Sequence, residues 1–339
     1  MDKLQLKITD IVYETHDTAT FYLAEENNRK INYQAGQFIT LVFTHKDEEI
    51  RRSYSLSSSP DEDLLSITIK RIDNGEITRY LLTHFKPGDI LTAIPPAGKF
   101  TLTAEVSQKD LIYFAAGSGI TPIYAQLKYL LSRPGTNKIT LIYSSQSGSD
   151  VIFRKQLDQL QQQHSGRFHI MYLLSSEGKR LNNIMVERLV KTDLKVDPSN
   201  TLFYLCGPFA YMRMVQFTLI YAGFEGSQIR KENFVLETVP VTSALTSFPP
   251  HRIRIFFKDE WHDVMAGENQ SILQAALQNN INLPYSCRGG ICSSCVGKCT
   301  SGKVEIVKNE VLTDEEIKQG FILTCTGHAL TDDTIIEFR

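Results

Sequence analysis

Across its first 286 residues the chain has a single cysteine, Cys206. A disulfide framework is thereby excluded as the device that organises most of its length. Neither sign of charge dominates: 36 Lys and Arg stand against 38 Asp and Glu, for a formal net charge of −2. With no basic stripe interleaved with aromatics either, there is no electrostatic case for nucleic-acid binding. Long apolar runs are missing as well, and no segment approaches the roughly 20 apolar residues that cross a bilayer. The opening stretch, MDKLQLKITDIVYETHDTATFYL, sets acidic and polar residues where an export signal needs a continuous apolar core. A cytoplasmic location is the expectation. Internal repeats are also absent. What is present, 339 residues with 42% hydrophobic and 22% charged side chains, describes an ordinary globular chain of two or three domains.

The first hundred residues hold short β-branched and aromatic runs, among them LQLKITDIVY, TATFYL, QFITLVF, RSYSLSS and LLSITIKRI. They alternate apolar and polar positions between breaks such as Gly36, Pro60, Asn74–Gly75 and Pro87–Gly88, which predicts antiparallel sheet curled into a small barrel over residues 1–104. Its last strand is expected to finish near Ile94. From residue 105 to 236 strand candidates (DLIYFAA, KITLIYSS, RFHIMYLLSS, TLFYLCG) alternate with helical ones (IYAQLKYLLSR, VIFRKQLDQLQQQH, NIMVERLVKTDL, AYMRMVQFTLIYAG), the pattern of βαβ units and a parallel sheet. Residues 237–251, ETVPVTSALTSFPPH, carry three prolines and no apolar face, and read as a linker, either mobile or packed. A third region, 252–339, opens with the strand RIRIFF and includes a short helix over Ser271–Asn280 and a capping box at Thr313 and Glu316.

Five of the six cysteines fall in the last 53 residues. Cys287, Cys292 and Cys295 have C-x4-C-x2-C spacing, and Cys325 follows after 29 intervening residues. This spacing is that of plant-type [2Fe–2S] centres, in which four thiolates hold two irons. Zinc, which also accepts four cysteines, is the alternative, although structural zinc sites favour short spacings on both sides. Gly289 and Gly290 give the loop freedom to bring backbone N–H groups toward sulfur. Cys299 is a fifth thiol and is assigned to packing; Ser293 and Ser294, between ligand candidates, are assigned to loop hydrogen bonding.

Three further patterns bear on chemistry. Arg52, Tyr54 and Ser55 in RRSYSLSS put a cation, an aromatic face and a hydroxyl within four residues. That set can hold a phosphate, cover an isoalloxazine ring and touch its reducible edge, or it is a solvated cation on a strand edge. In AAGSGITP, Gly117 and Gly119 permit a tight turn beside a pyrophosphate, with helix N–H groups, the Thr121 hydroxyl and Pro122 in the first helical turn; an ordinary βα connection is the alternative. Cys206, Gly207 and Pro208 stand at another strand-to-helix junction. A lone buried cysteine is usually structural, and no adjacent His and acid equip this one as a nucleophile.

The segment SILQAALQNNINLPYSCRGGICSSCVGKCTSGKV resembles the plant-type ferredoxin family over residues 252–339. The resemblance implies a β-grasp fold with Cys287, Cys292, Cys295 and Cys325 as the cluster ligands. RSYS, KRIDNGEITRYL and PPAGKF together resemble the ferredoxin–NADP reductase superfamily. By that resemblance Arg52 supports the flavin phosphate, Tyr54 packs at the ring and Ser55 contacts the reactive region. Gly75, Glu76, Ile77 and Thr78 match the segment that contacts the FAD pyrophosphate, with Thr78 in place of the more familiar Ser, so FAD is expected rather than FMN. AAGSGITP matches the nicotinamide loop. Cys206, Gly207 and Pro208 match a segment bordering nicotinamide and flavin, with Cys206 as a positioning residue, and Glu232 and Phe234 match the closing segment. Ser55, Cys206 and Glu232 are thus the residues expected nearest the chemistry. Relatives that prefer NADPH often place Arg where Gln146 stands, whereas Ser175, Lys179 and Arg180 could still gather around a phosphate and Arg154 could be a solvated helix charge, so both NADH and NADPH are expected as donors. Essentially the whole chain resembles oxygenase reductases of the phenylacetyl-CoA epoxidase type. This implies hydride transfer to FAD, division of the electron pair, and single-electron delivery through [2Fe–2S] to an oxygenase or another redox protein.

Overall fold

The alternating pattern of the N-terminal region resolves into six antiparallel strands: β1 (Leu4–Thr15), β2 (Thr18–Glu25), β3 (Phe38–His45), β4 (Glu48–Ser55), β5 (Leu65–Lys70) and β6 (Ile90–Ala97), with helix α1 (Glu76–His84) between the last two. The computed structural model describes residues 3–27, 29–45, 48–72, 75–234 and 247–338. The strands run β4-β3-β6-β1-β2-β5, and a bridge between Leu56 and Ile67 joins the two ends of that order, closing the barrel. Inward-facing Leu6, Ile8, Phe21, Leu23, Ile39, Leu41, Ile67 and Ile69 fill it, and α1 adds Ile77 and Leu81 to the same core. The sixth strand does not stop at Ile94 but continues through Pro95 and Pro96 to Ala97. It can do so because the pairing with β3 slips between Phe38↔Ala97 and Thr40↔Ile94, and this irregularity spares the prolines a ladder hydrogen bond they cannot donate.

The next five strands are parallel: β7 (Asp110–Ala116), β8 (Ile139–Ser145), β9 (Phe168–Leu174), β10 (Thr201–Cys206) and β11 (Ile229–Glu232). They are connected through α2 (Ile120–Leu131), α3 (Arg154–Gln163), α4 (Asn183–Arg188) and α5 (Phe209–Tyr221). The near-continuous apolar runs, such as the fully buried Thr201–Cys206, reflect a sheet covered on both faces. One face packs on α2 and α3 through Tyr113, Leu141 and Tyr204. The other packs on α4 and α5 through Phe114, Ile142, Phe203 and Leu205. The helix expected from Val151 begins only at Arg154, because Val151, Ile152 and Phe153 are buried in the core and Phe153 takes a left-handed φ of 61°.

The chain divides into two compact units, Asp2–Glu232 and Asn233–Arg339. The second unit carries strands β12 (His251–Phe257), β13 (Glu260–Ala266), β14 (Val296–Ser301), β15 (Val304–Ile306), β16 (Phe321–Leu323), β17 (Gly327–Ala329) and β18 (Thr334–Glu337), with helices α6 (Ile272–Gln278) and α7 (Asp314–Lys318). Five of these strands form a mixed sheet in the order β13-β12-β18-β14-β16, and β15 pairs with β17. Ile272, Leu273, Ala275 and Ala276 of α6 bury against it, the helix being started by a capping box of Ser271 and Gln274. Thr313 and Glu316 form the second capping box, at the start of α7.

Of the linker read at 237–251, residues 237–246 lie outside the described residues. The remainder is fastened to the second unit. Phe248 is buried and stacks on His328 with centroids 4.2 Å apart, its N–H donates to Asn269 Oδ1 (2.9 Å), and His251 already begins β12.

Candidate functional site

In the parallel sheet the order β11-β10-β7-β8-β9 reverses direction between β7 and β10. Crevices at the carboxyl ends of strands flanking such a reversal are where open α/β sheets bind nucleotides. Both candidate nicotinamide segments sit there: Gly117–Gly119 follows β7, and Cys206–Gly207–Pro208 closes β10 and leads into α5. The two turns touch. A Cβ on Gly119 would lie 2.1 Å from the Cys206 carbonyl oxygen and 2.7 Å from the Gly207 nitrogen, so only glycine fits. Gly117 adopts a φ of 54°, open to glycine at no steric cost, and its carbonyl accepts from Tyr143 Oη at 3.0 Å.

Helix α2 starts directly from this turn, with Gly119 as an N-cap that has no side chain to satisfy the first N–H groups. Thr121 and Pro122 occupy its first turn, both buried. Thr121 Oγ1 is buried without a hydrogen-bond partner among the described residues. Unpaired donors at a helix start are what a pyrophosphate satisfies, so these residues fit the nicotinamide dinucleotide.

Cys206 is fully buried, and Glu232, at the end of β11, pairs with it in the parallel ladder. Burial, and after it the Glu232 charge, pushes the Cys206 thiol well above its ordinary value. The side chain is therefore a neutral thiol, in keeping with positioning rather than nucleophilic attack. Pro208 is exposed as the N-cap of α5, and Gly207 packs against Ala116. Phe234 lies in the second unit and is 42% exposed; the geometry of the first unit does not include it.

The flavin candidates lie on β4 and α1. Arg52 and Tyr54 are two residues apart on one strand and share a face. Burial raises the Tyr54 phenol, against the pull of the Arg52 cation two residues earlier on the strand. Arg52 is exposed, and its Nη1 donates to the Arg51 carbonyl (2.8 Å). Ser55 is buried opposite Phe38, one residue before the bridge that closes the barrel.

Gly75 is the N-cap of α1 and offers no side-chain cap to the first turn, which runs through Glu76, Ile77 and Thr78. A Cβ on Gly75 would lie 2.6 Å from Thr78 Oγ1. That hydroxyl donates to the Gly75 carbonyl and accepts from the Ile72 N–H, both at 3.2 Å. Thr78 thus braces the turn that presents the helix start, a role the sequence pattern did not reveal. A cation beside an aromatic face, with an uncapped helix start, fits the ring and phosphates of FAD.

In the second unit the cysteine loop bends through left-handed residues, Arg288 (φ 54°), Gly290 (φ 75°) and Ser293 (φ 54°). At Gly290 a Cβ would lie 2.4 Å from the Lys308 carbonyl oxygen. The four candidate thiols are brought together: Cys295 Sγ is 3.2 Å from Cys325 Sγ, and the Cys287 N–H lies 3.4 Å from Cys292 Sγ. Gly289 N–H donates to Cys287 Sγ (3.3 Å), as expected of a glycine loop that serves sulfur. Hydrogen bonds from Cys292 and Cys325 draw Cys287 toward its thiolate, and Cys292 is raised in turn. No three of the described His, Cys, Asp and Glu side chains are gathered so as to hold a single metal ion; a [2Fe–2S] cluster spreads four thiolates over two irons, and this all-thiolate set fits it. Cys299 Sγ instead donates to the Ser301 carbonyl (3.1 Å) and packs in the sheet core. Ser294 Oγ lies 3.5 Å from Cys292 Sγ.

Beyond β8, Gln146 is exposed and its carbonyl accepts from Ser176 N–H (2.9 Å). Two of the cations in this region have partners: Lys179 binds Glu177 (2.8 Å), and Arg154 binds Asp158 (2.9 Å) while lying 3.8 Å over the Tyr172 ring; Arg180 is exposed.

Comparison with known proteins agrees with this division. Residues 5–102 match the oxidoreductase FAD-binding domain, 114–217 the oxidoreductase NAD-binding domain and 255–329 the 2Fe-2S iron-sulfur cluster binding domain. The chain is 30% identical to the ferredoxin reductase component of 3-ketosteroid-9-alpha-monooxygenase from Rhodococcus rhodochrous, over 98% of this chain and 96% of that one. It is 28% identical to a subunit of the 1,2-phenylacetyl-CoA epoxidase from Escherichia coli, over 98% and 97%. Among solved structures, phthalate dioxygenase reductase has the same fold over 99% of this chain and 98% of its own, with a TM-score of 0.62 at 23% identity. No helix among the described residues is long and apolar enough to cross a membrane. The chain belongs to the ferredoxin–NADP reductase superfamily, among the reductases that carry FAD-binding, NAD-binding and C-terminal plant-type 2Fe-2S domains.

Proposed function

We propose that this protein is the reductase component of an oxygenase system. The observation that carries the reading is the abutment of Gly119 on Cys206 at the sheet's reversal point, in a chain whose barrel offers a flavin strand and whose second unit gathers four thiols. When bound, the nicotinamide supplies a hydride, FAD accepts the pair, and the [2Fe–2S] cluster hands electrons on one at a time.

The chain's own residues bind and orient these groups. Arg52 and the start of α1, at Gly75 to Thr78, hold the FAD phosphates; Tyr54 covers the ring; Ser55 meets its reactive edge. Gly117, Gly119, Thr121 and Pro122 cradle the nicotinamide dinucleotide. Cys206, Gly207 and Pro208 set its reacting end, with Glu232 beside Cys206 and Phe234 in the segment that follows. Cys287, Cys292, Cys295 and Cys325 ligate the cluster. No general-base triad is required, since alignment and redox poise carry this chemistry. The acceptor is an oxygenase, and the phenylacetyl-CoA epoxidase and steroid monooxygenase relatives make coenzyme A thioester and steroid oxygenases the first candidates.

Mixing the purified protein with a candidate oxygenase, and following NAD(P)H consumption, oxygen uptake and product together, tests this. Tight coupling of all three supports the oxygenase reading. Fast NAD(P)H oxidation that feeds one-electron acceptors but none of the oxygenases would favour a non-oxygenase acceptor.

A further inference from the structure

We propose that the barrel loop bearing Asp61 and Glu62 is a clamp on α2, and that Asp61, Glu62, Lys128 and Arg133 are positioning residues for transfer from nicotinamide to flavin. The inference rests on the reading of Gly117–Gly119 as the nicotinamide turn and of β4 as the flavin strand.

Arg133, just past the end of α2, meets Asp61 with both ends of its fork, at 2.6 Å and 2.9 Å. Lys128, five residues earlier and within α2, binds Glu62. Both cations are pre-set by their own helix. The Arg133 guanidinium lies 3.5 Å over the Tyr129 ring and donates to the Tyr129 carbonyl, and Lys128 sits 4.6 Å over Tyr124. The Arg133 hydrogen bonds hold the Asp61 carboxyl below its usual range. Closer to the glycine turn, Gln126 Nε2 donates to the Phe100 carbonyl (2.6 Å), and Gly36 of the barrel packs so tightly there that a Cβ would lie 2.0 Å from the same oxygen. At 100° per residue Gln126 and Lys128 lie on opposite flanks of α2, and Arg133 holds the chain just past its C-terminal end. Held at Gln126, at Lys128 and just past its end, the helix is braced against rolling and tilting.

The clamp joins the two sites through short, stiff connections. On the barrel side only five residues separate Ser55 from Asp61. That stretch is fastened by Tyr33 Oη to Ser58 Oγ (2.8 Å), by Ser66 N–H to Ser58 Oγ (2.9 Å) and by Ser59 N–H to Glu62 Oε1 (3.2 Å). On the other side a single helix runs from Gly119 to Leu131, about 18 Å at 1.5 Å per residue, and the clamp closes on its last turns and just beyond. The ion pairs are partly exposed, 40% and 50% at Arg133 and Asp61, and such pairs add little to stability. Placement of reacting groups is far more sensitive, since a displacement of about 1 Å can cost about 100-fold in rate.

The test uses the full-length, FAD-loaded protein with Asp61→Asn and Glu62→Gln combined, and separately the charge exchange Asp61→Arg with Arg133→Asp. Hydrogen exchange is measured across residues 120–133, and flavin reduction is followed by stopped flow at several nicotinamide concentrations. With FAD content unchanged, the neutralised variant is expected to exchange α2 amides about 10-fold faster. It should also reduce flavin about 10-fold more slowly, with nicotinamide affinity held within about twofold. The exchanged pair should recover most of both. Wild-type exchange and rates in the neutralised variant would overturn the clamp, and so would a slowed variant that the exchanged pair does not rescue. If nicotinamide fails to reduce the wild-type flavin at all, the reductase reading falls instead, and the exchange measurement alone decides the clamp.

Discussion

Gly119 and Cys206 come from different βα units, yet a methyl group on Gly119 would lie 2.1 Å from the Cys206 carbonyl oxygen. Gly119 has an ordinary helical φ of −61°, so its requirement for glycine is one of space alone. The atoms it would strike are backbone and cannot swing aside. Gly119→Ala is expected to push the two turns apart and lower kcat/KM for the nicotinamide by about 100-fold. FAD content should stay at the wild-type level, because the barrel is untouched. Cofactor absorbance and steady-state kinetics check this, and an alanine variant with wild-type kcat/KM would contradict the site.

Cofactor choice follows from the cations beyond β8 and β9. Because Lys179 and Arg154 are each matched by their own acid, neither is committed to a 2′-phosphate. Both NADH and NADPH should be oxidised, with efficiencies within about 1000-fold, or about 4 kcal/mol. Glu177→Gln should release Lys179 and move the ratio toward NADPH by about fivefold, the scale of an exposed charge pair. Kinetics at fixed ionic strength give the ratio, and a shift toward NADH would oppose this assignment.

Burial raises the folded-state pKa of Cys206 above its ordinary 9.0. The folded protein then holds its proton at pH values where the unfolded chain has lost it. Below about pH 9 this contribution to stability is fully present; above it, stability falls as pH rises toward the folded value. Cys206→Ala should therefore flatten the alkaline limb of a Tm–pH profile. It should leave the pH dependence of flavin reduction unchanged between about pH 6 and 9, where the thiol is already neutral. A kinetic limb in that range that vanishes with Cys206 would reveal a titrating thiolate.

Much of this was legible in the sequence because it is local. Strand and helix periodicities mark nearly every element of the α/β sheet, and C-x4-C-x2-C marks the loop that gathers sulfur. Local patterns fail where neighbours from afar decide. Pro95 and Pro96 suggest a strand end, but a slipped register with β3 lets β6 run on to Ala97. Val151–Phe153 look like the first turn of a helix, yet the core claims them and forces Phe153 to a positive φ. The pairing of Asp61 with Arg133 spans 72 residues, and nothing in either segment announces it. Thr78, read as a contact to the FAD pyrophosphate, also braces the Gly75 turn, a role its residue type alone did not announce.

The cysteine assignment separates from the flavin assignment. Cys292→Ser is expected to lose most of the iron and acid-labile sulfide while retaining FAD. Its flavin should still be reduced by a nicotinamide at a rate within about threefold of wild type, since the ligands and the barrel belong to different compact units. Metal and sulfide analysis beside stopped-flow spectra would show this. A fully assembled cluster in the variant would remove Cys292 from the ligand set.

The central claim is that electrons enter as a pair at the first unit and leave singly through the cysteine loop. The most direct measurement is an anaerobic titration of the purified protein with NADH or NADPH, monitored by visible absorption and electron paramagnetic resonance, in wild type and in Cys292→Ser. The account predicts that wild type takes up three electrons, two bleaching the flavin and one giving the signal of a reduced [2Fe–2S] centre. It also reduces a one-electron acceptor rapidly. Cys292→Ser should take up two electrons, lack that signal, and reduce the same acceptor at a small fraction of the wild-type rate. Equal acceptor reduction by the two proteins would show that the cluster is not the exit, and the proposed electron route would be wrong.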